Sequence, residues 1–527
     1  MEDKILRLFK ELIEKAMQRE ININFFGIRH KKKPDFISIT QKEHYKQKIG
    51  VRENGRPFHG ADSDGGVLID VYIGDSRGLG RGSIAVEGVG RDESSIRRKI
   101  EPNLEEAIRK ALADYSERAV ASGPQDSSLF YVLSKEPIVE SIDPIPHRSK
   151  NLIHEKKAIN IEQQLKALWD LFCARKEIVK RAEIMIRSTG LVRRCVNSEG
   201  TTIRSHNFRA YYRINLDILA EDLRIIECSD TPYYAMTPEQ IKKYNYVNNR
   251  RVQGLLEHIS ALAKTRPMIR PSQGTVKCPA YLGERAFSNF IHEPLAHPKE
   301  GSEKIGEPIL PPFISVIDDP TYRFGHGYMQ YDEEGVRGQK TILVKDGIRN
   351  DVLLDRLSAG KLGRSSNGHA RGEWVYNMDE ATGQKRVGIP ERRVTNLFTT
   401  ASNGVSTQRL FREFLENINK DGCEYGMIVR GGGAYIDSVT RDFVLPPFFL
   451  QKVYPDDRRE LTSGARVLGD PTSFMKVVRC GKDNSRSFSN CGGDSGTIPD
   501  CSTGPAAYIK EVTFKEQPER RLRKKTV

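Results

Sequence analysis

The stretch Ile291-His292-Glu293-Pro294-Leu295-Ala296-His297-Pro298-Lys299-Glu300 sets two imidazoles and two carboxylates within the nine residues 292 to 300. Neutral imidazole is the commonest protein ligand for zinc, and a carboxylate beside it can take a proton from a water that the metal acidifies. That combination hydrolyses amides, with His292 and His297 as metal ligands. Glu293 then serves as general base and afterwards gives the proton to the leaving amine. The spacing, His-Glu-x-x-x-His, is one residue longer than His-Glu-x-x-His, so on a regular helix the two imidazoles stand well over a quarter-turn apart. The helix is therefore expected to be irregular here, with Pro294 and Pro298 as the cause, because each removes a backbone donor and disfavours helical geometry before it. Without its histidines, Glu293 would read first as a capping or salt-bridging carboxylate at a helix start.

Catalytic zinc takes three protein ligands and leaves a position for water. The best remaining donor for the third place is Cys480, in Val478-Arg479-Cys480-Gly481-Lys482-Asp483, where two cationic neighbours favour the thiolate. An ordinary loop cysteine beside a solvated pair of charges is the competing reading. Glu300, one helical turn past His297, either orients that imidazole, which ranks first, or replaces Cys480 as ligand. His326 and His369 lie in the glycine-rich stretches Phe324-Gly325-His326-Gly327 and Asn367-Gly368-His369-Ala370-Arg371. They are candidates for an oxyanion or substrate contact, against the plainer reading of polar surface. Gly431-Gly432-Gly433, centred on Gly432, lets another backbone come close, as a peptide adding as a strand requires; a tight turn explains the same residues.

The motif is followed by Asp318-Asp319-Pro320-Thr321, Asp332-Glu333-Glu334-Gly335 leading to Gln339-Lys340-Thr341, and Gly363-Arg364-Ser365-Ser366 with Arg371. Then come Pro390-Glu391-Arg392-Arg393-Val394-Thr395-Asn396, the three glycines, and Cys480-Gly481-Lys482-Asp483. In that order the blocks, from about position 274 to 490, resemble the TldD/PmbA family of metalloproteases, once described as modulators of DNA gyrase. The resemblance implies a zinc peptidase of one metal per active subunit, with His292, His297 and Cys480 as ligands and Glu293 as base. It implies unstructured peptides as substrate and Arg371 as a residue that contacts them. In the family one kind of subunit keeps the metal motif and another has lost it, and the two pair to enclose the site. This chain resembles the metal-bearing kind, expected as a homodimer or as a heterodimer with a related subunit. The alternative is a non-catalytic subunit or scaffold that pairs with an active relative. Pro294 stands where the family has a small residue such as alanine, and Ala296 where it has glycine.

At 527 residues, 38% apolar and 29% charged, the chain has the composition of a soluble globular protein with core enough for two or three domains. It has no apolar run of membrane-spanning length, and Met1-Glu2-Asp3-Lys4 opens an amphipathic helix rather than a secretion signal, so the cytoplasm is the expected compartment. Eight scattered cysteines make no disulfide framework. Cys491 and Cys501 belong to an insertion-like, Gly/Ser-rich segment, 484 to 503, that the family pattern does not explain. A net charge of +14 invites a nucleic-acid partner. The basic residues are spread through separate short runs with no aromatic platform, however, which argues for solvated faces instead.

The elements that position the motif are read as an α+β fold. Residues 1–121 form an N-terminal α+β layer, with a helix over Ile5 to Ala16 and strands at Ile21 to Ile28, Asp35 to Thr40, Tyr45 to Glu53 and Val67 to Ile73. Gly78-Leu79-Gly80-Arg81-Gly82 is read as a turn and not a phosphate loop. A helix runs from 101 to 120 with Asn103 as cap. Residues 122–150, rich in proline, are a linker. Residues 151–270 bring a long helix over 153 to 187, a meander of strands to Leu219, and a helix over 238 to 264. Residues 271–515 form a β-rich, barrel-like metallopeptidase domain, with a helix over 406 to 419, and 516–527 a basic tail.

Overall fold

The computed structural model describes residues 3–25, 28–75, 78–87, 89, 92–121, 133–143, 155–247, 250–269, 274–296, 304–372, 377–378, 385–386, 388–436, 443–447, 449–469, 473–493 and 495–517. His297, Glu300, most of the expected linker and the basic tail lie outside these residues.

Two large sheets carry the fold, which is mixed α and β as expected. The first has seven strands, in the order Gly78–Glu87, Pro57–Asp75, Phe36–Val51, Val179–Asn197 and Thr202–Leu219, with Glu140–Ile142 and Ile225–Ala235 both paired to Thr202–Leu219. Its strands are far longer than the apolar patterning suggests. Phe36–Val51 is one strand of 16 residues where two short ones are expected, and it pairs with Val179–Asn197 from Ser38↔Asn197 to Val51↔Ile184. The cause lies in the pleat, which sends alternate side chains to opposite faces. Odd-numbered Ile37, Ile39, Ile49 and Val51 enter the apolar clusters under the helices, while even-numbered Lys42, His44 and Lys46 go to the other face. Between Ile39 and Ile49 the odd-numbered positions are Gln41, Glu43, Tyr45 and Gln47, none of them in either cluster, so the apolar alternation lapses in the middle of a continuous strand.

Helices cover the apolar face in two groups. Lys4–Met17, capped by Asp3 through Ile5 N–H, buries Leu6, Phe9, Leu12 and Ile13 together with Ile100, Ala107 and Ala111 of the helix Glu93–Ala121. Glu155–Cys173 and Arg250–Ala263 cover the rest. The second helix begins at Glu93 rather than at Glu101. Asp92 caps it by accepting Ser95 N–H, Pro102 is carried inside it, and Asn103 bonds the Lys99 carbonyl rather than capping. The helix read over 153 to 187 stops at Cys173, and its tail is already strand from Val179. The helix read over 238 to 264 is two, Pro238–Lys243 and Arg250–Ala263.

Gly78 to Gly82 is the start of a strand, not a turn. A Cβ on Gly80 would sit 2.1 Å from the Ala111 carbonyl oxygen, and one on Gly82 2.0 Å from that of Ala107. The glycines are there so that the long helix can lie directly on the strand. Because the obstacle is backbone on a packed helix, Gly82→Ala is expected to lower stability by about 1–3 kcal/mol, as overpacking does, read from the denaturant midpoint.

The second sheet has 14 strands around Ile498–Glu516, which pairs with Thr275–Leu282, Asn396–Ala401, Ala465–Gly469 and Val477–Cys491. One helix, Thr407–Lys420, packs on it through Leu410, Phe414 and Ile418, with Ser406 as its N-cap. The helix Glu284–Ala296 packs on it through Phe287, Phe290 and Ile291. The block 332 to 335 docks the two halves together. Asp332 accepts the N–H groups of Glu334, Val336 and Ala370, Glu333 pairs with Lys42 at 2.7 Å, and Arg193 donates to the Tyr331 and Asp332 carbonyls. Among the described residues no helix is long and apolar enough to cross a membrane.

Candidate active site

The helix Glu284–Ala296 carries the first half of the motif and runs through Pro294 to Ala296, at the cost of the backbone bond that proline cannot donate. Its direction is fixed by two contacts with the strand Ile498–Glu516. Ser288 lies over Gly504, where a Cβ would come 2.9 Å from its Oγ. One turn on, His292 Nδ1 lies 3.4 Å from both Ser502 Oγ and Asp500 Oδ2. The C-terminal end of the helix therefore meets the 498–502 end of the strand, and His292 and Glu293 are both buried there.

Burial, helped by the nearby Arg393 charge, lowers the His292 pKa to about 4, so at neutral pH the ring is the uncharged form that ligates metal. Asp500 stands where a histidine ligand commonly finds the carboxylate that orients it. Asp500 is itself fully buried and takes the Ser489 hydroxyl at 2.8 Å, and burial pushes its pKa up to about 7. Burial and then the Asp500 carboxylate raise Glu293 to about 8. Glu293 Oε2 and Asp500 Oδ1 have no hydrogen-bond donor among the described residues. Two buried carboxylate oxygens lacking donors beside a neutral imidazole are what a bound cation would satisfy.

The hairpin register separates the cysteines. Cys491 pairs with Ile498, two residues from Asp500, and its thiol feels the charges of Arg393, Asp500 and Glu293; burial pushes it up to about 12. Arg393 Nη2 reaches its sulfur at 3.2 Å. Cys480 pairs instead with Ala507, five residues beyond Ser502, or about 16 Å of extended strand toward the other end of the motif helix. It sits in the apolar cluster with Phe287 and Ala507, and burial pushes its thiol to about 12 against the pull of Arg479. The flanking charges that suggested a thiolate are outweighed by desolvation. The structure sets Cys491, not Cys480, beside the motif glutamate.

The other candidates fall in different places. Arg371 is buried, donates to the Val394 and Pro499 carbonyls, and so ties the 390–396 block to the site hairpin; burial lowers its pKa to about 10. His369 is wholly buried, with Nε2 3.2 Å from Asp318 Oδ1 and Nδ1 2.9 Å from Asn367 Oδ1. Asp318 also accepts Thr395 N–H at 2.8 Å, so this pair braces the 318 and 395 blocks. His326 is buried, with Nδ1 3.3 Å from the Ser489 carbonyl and its ring edge-on to Tyr234. Gly432, at φ +91°, gives its carbonyl to Asn289 Nδ2 at 2.6 Å, and a Cβ there would strike the Pro446 carbonyl at 2.2 Å. Among the described residues no three His, Cys, Asp or Glu side chains gather as a metal cage. Asp500 is the site residue that sequence reasoning misses.

A cleft of about 530 Å³ lies between the polar face of the first sheet and the second half, lined in part by His44, His326, Arg371, Asn490, Ile498 and Pro499. Burial, and then the Lys42 and Lys46 charges, lower His44 to about 3, well under the roughly 6.5 of an unfolded histidine. The unfolded chain therefore binds this proton first, so the stability that neutral His44 contributes is intact above about pH 6.5 and lost as pH falls toward 3. Between pH 7 and 5, a His44→Gln chain is expected to lose about 2 kcal/mol less than the wild type, compared by urea unfolding.

Residues 275–515 match the family model described as the PmbA/TldA metallopeptidase C-terminal domain. A metalloprotease of Methanocaldococcus jannaschii is 27% identical over 221 residues, 40% of this chain and 44% of the relative. A metalloprotease TldD homologue of Haemophilus influenzae is 26% identical over 251 residues, 45% of this chain and 47% of the relative. The match thus spans a little under half the length of these curated relatives. The crystal structure of TldE from Thermococcus kodakarensis has the same fold at a TM-score of 0.55 and 16% identity, covering 91% of this chain and 97% of that one. The resemblance read from the order of the blocks is borne out: residues 275–515, with the helix that bears His292 and Glu293 and the hairpin that bears Cys491 and Asp500, match the PmbA/TldA metallopeptidase C-terminal domain family.

Proposed function

We propose that the chain is a zinc-dependent peptidase acting on flexible, unstructured peptides, with Glu293 as the proton-transfer group. The observation that carries this is the buried pair at the end of the motif helix. A neutral His292 has one ring nitrogen beside Asp500, and the adjacent Glu293 has an oxygen that meets no donor among the described residues. The ligands would be His292, through the nitrogen turned away from Asp500, together with His297 and Cys491. Mixed imidazole and thiolate donors favour zinc over magnesium or calcium. Bound there, zinc supplies Lewis acidity, acidifying water and polarising a peptide carbonyl.

The chain's own residues do the rest. Asp500, with Oδ2 3.4 Å from His292 Nδ1, would orient the ring by accepting from Nδ1–H and so strengthen it as a donor to a cation. Arg393, 3.2 Å from the Cys491 sulfur, favours its thiolate when the proton leaves. Glu293 takes the proton of the attacking water and returns it to the amine nitrogen as the C–N bond breaks. Arg371 holds the site hairpin through Pro499 rather than reaching for substrate with those two N–H groups. The blocks shared with TldD/PmbA proteins support pairing with a second, related subunit, either an identical chain or a relative that has lost the motif.

The test is metal content with cleavage. The purified chain is expected to carry about one zinc, to cut a disordered polypeptide, to stop on chelation, and to recover when zinc is returned, with no cleavage of a folded protein of similar composition. A metal-free chain that cuts at the same rate would end this reading.

A further inference from the structure

The cleft between the sheets has a charge pattern that the hydrolytic site does not account for. Lys42, Lys46 and Lys48 lie on one face of Phe36–Val51, Arg187 and Arg193 on the same face of Val179–Asn197, and Arg209 on that of Thr202–Leu219. With Arg371, seven of the described lining residues are lysine or arginine, and two, Asp143 and Glu333, are acidic. Glu333 is already engaged by Lys42 at 2.7 Å and Arg193 at 3.7 Å.

Lys48 and Arg187 are different. They are directly opposed across the two strands, both are exposed, and neither has an ion pair among the described residues. Like charges facing each other in a sheet are destabilising. Arg187 lies over the Tyr211 ring at 5.9 Å, which leaves the repulsion from Lys48 in place, so two facing exposed cations lining the cleft are a cost to the free chain that an anion lying between them would relieve. The same field acts deeper in: Lys46 and Arg209 push His44, and Arg209 and Arg371 push His326, in the direction that burial already takes them. The far wall of the cleft is Asn490, Ile498 and Pro499, the end of the hairpin that holds Cys491 and Asp500.

We propose that this cleft selects its substrate by charge, binding an extended peptide segment rich in aspartate and glutamate along the Lys48–Arg187–Arg209 face and leading it to the hairpin end of the site. Hydrolysis of the bound segment, and the choice of a peptide over a nucleic acid, rest on the peptidase reading, whereas the preference for an acidic ligand does not. A peptide is favoured over a nucleic acid because the basic face is continuous with a site whose acid and base groups suit an amide.

The experiment uses the full chain with Glu293→Gln, so that bound peptide is not consumed, and reads fluorescence anisotropy. The probe is a labelled, unstructured peptide of about a dozen residues with four glutamates, set against the same peptide with glutamines. The acidic peptide is expected to bind about ten-fold tighter or more, with the margin shrinking as salt is raised. Adding Lys48→Glu and Arg187→Glu is expected to erase the preference, and Lys48→Gln with Arg187→Gln to reduce it. Both positions are exposed, and circular dichroism checks that the fold is kept. Equal affinity for the two peptides, or a preference unchanged by the charge reversal, overturns the proposal. So does a single-stranded oligonucleotide of equal charge that displaces the acidic peptide and binds tighter. Cleavage by the wild-type chain is read separately: a binding preference with no cleavage supports the cleft and removes the peptidase reading alone.

Discussion

A Glu293→Gln chain is expected to keep its zinc and to lose hydrolysis of an unstructured peptide by about a hundred- to ten-thousand-fold. Glutamine has the shape of the side chain it replaces and no group that can accept the water proton. Glu293 is buried at the end of the motif helix with Asp500 as its near charge and without a donor to Oε2 among the described residues. Exchanging a buried carboxyl for a neutral amide removes an ionisable group from low-dielectric surroundings, so thermal stability should hold or rise. The loss of rate cannot then be laid to unfolding. Glu293→Asp, which withdraws the carboxyl by one methylene, should fall between the two, because proton transfer needs hydrogen-bond reach. Metal content, melting temperature and kcat on a disordered peptide are the three readouts. Equal kcat in wild type and Glu293→Gln would take this carboxylate out of the reaction.

How much of this was legible in the sequence differs from element to element. The motif helix, the N-terminal helix and the helix after Ser406 were legible because one buried face repeats at the helical period: Leu6, Phe9 and Ile13 in the first, Leu410, Phe414 and Ile418 in the last. Long strands were not, because the pairing runs on through a stretch where both faces lack an apolar side chain of the clusters, Lys42, His44 and Lys46 alternating with Gln41, Glu43 and Tyr45. Gly80 and Gly82 read as a turn because glycine in sequence reports freedom, while here it reports another backbone lying against the strand. In the candidate site, His292 and Glu293 are adjacent in sequence, so their nearness is legible there. Asp500 and Cys491 come to them through a hairpin about two hundred residues away, whose register no local pattern records. The charges beside Cys480 pointed to it, and burial, which sequence does not display, reversed their effect.

The choice between those two cysteines gives the second large effect. Cys491→Ala is expected to strip the zinc and abolish cleavage, while Cys480→Ala keeps both and costs about 1 kcal/mol of stability, the usual scale for a small core truncation. The reason is the hairpin register. Cys491 is across from Ile498, beside Asp500 and within the field of Glu293, whereas Cys480 is across from Ala507 in the apolar cluster under Phe287. Asp500→Asn should lie between them. It spares the ligands and removes the carboxylate that orients His292, a change of the kind that lowers metal affinity by about 10- to 100-fold; losing a ligand costs more. Stoichiometry by native mass spectrometry and competition with a zinc chelator rank the three. Cobalt in place of zinc tells them apart without any reference to activity, since a thiolate ligand adds a charge-transfer band in the near ultraviolet. That band should vanish in Cys491→Ala and persist in Cys480→Ala. If it follows Cys480 instead, the register that sets Cys480 across from Ala507, about 16 Å of strand beyond Ser502, would have to change on metal binding, and the site described by His292, Asp500 and Cys491 would be a resting arrangement rather than the one that binds metal.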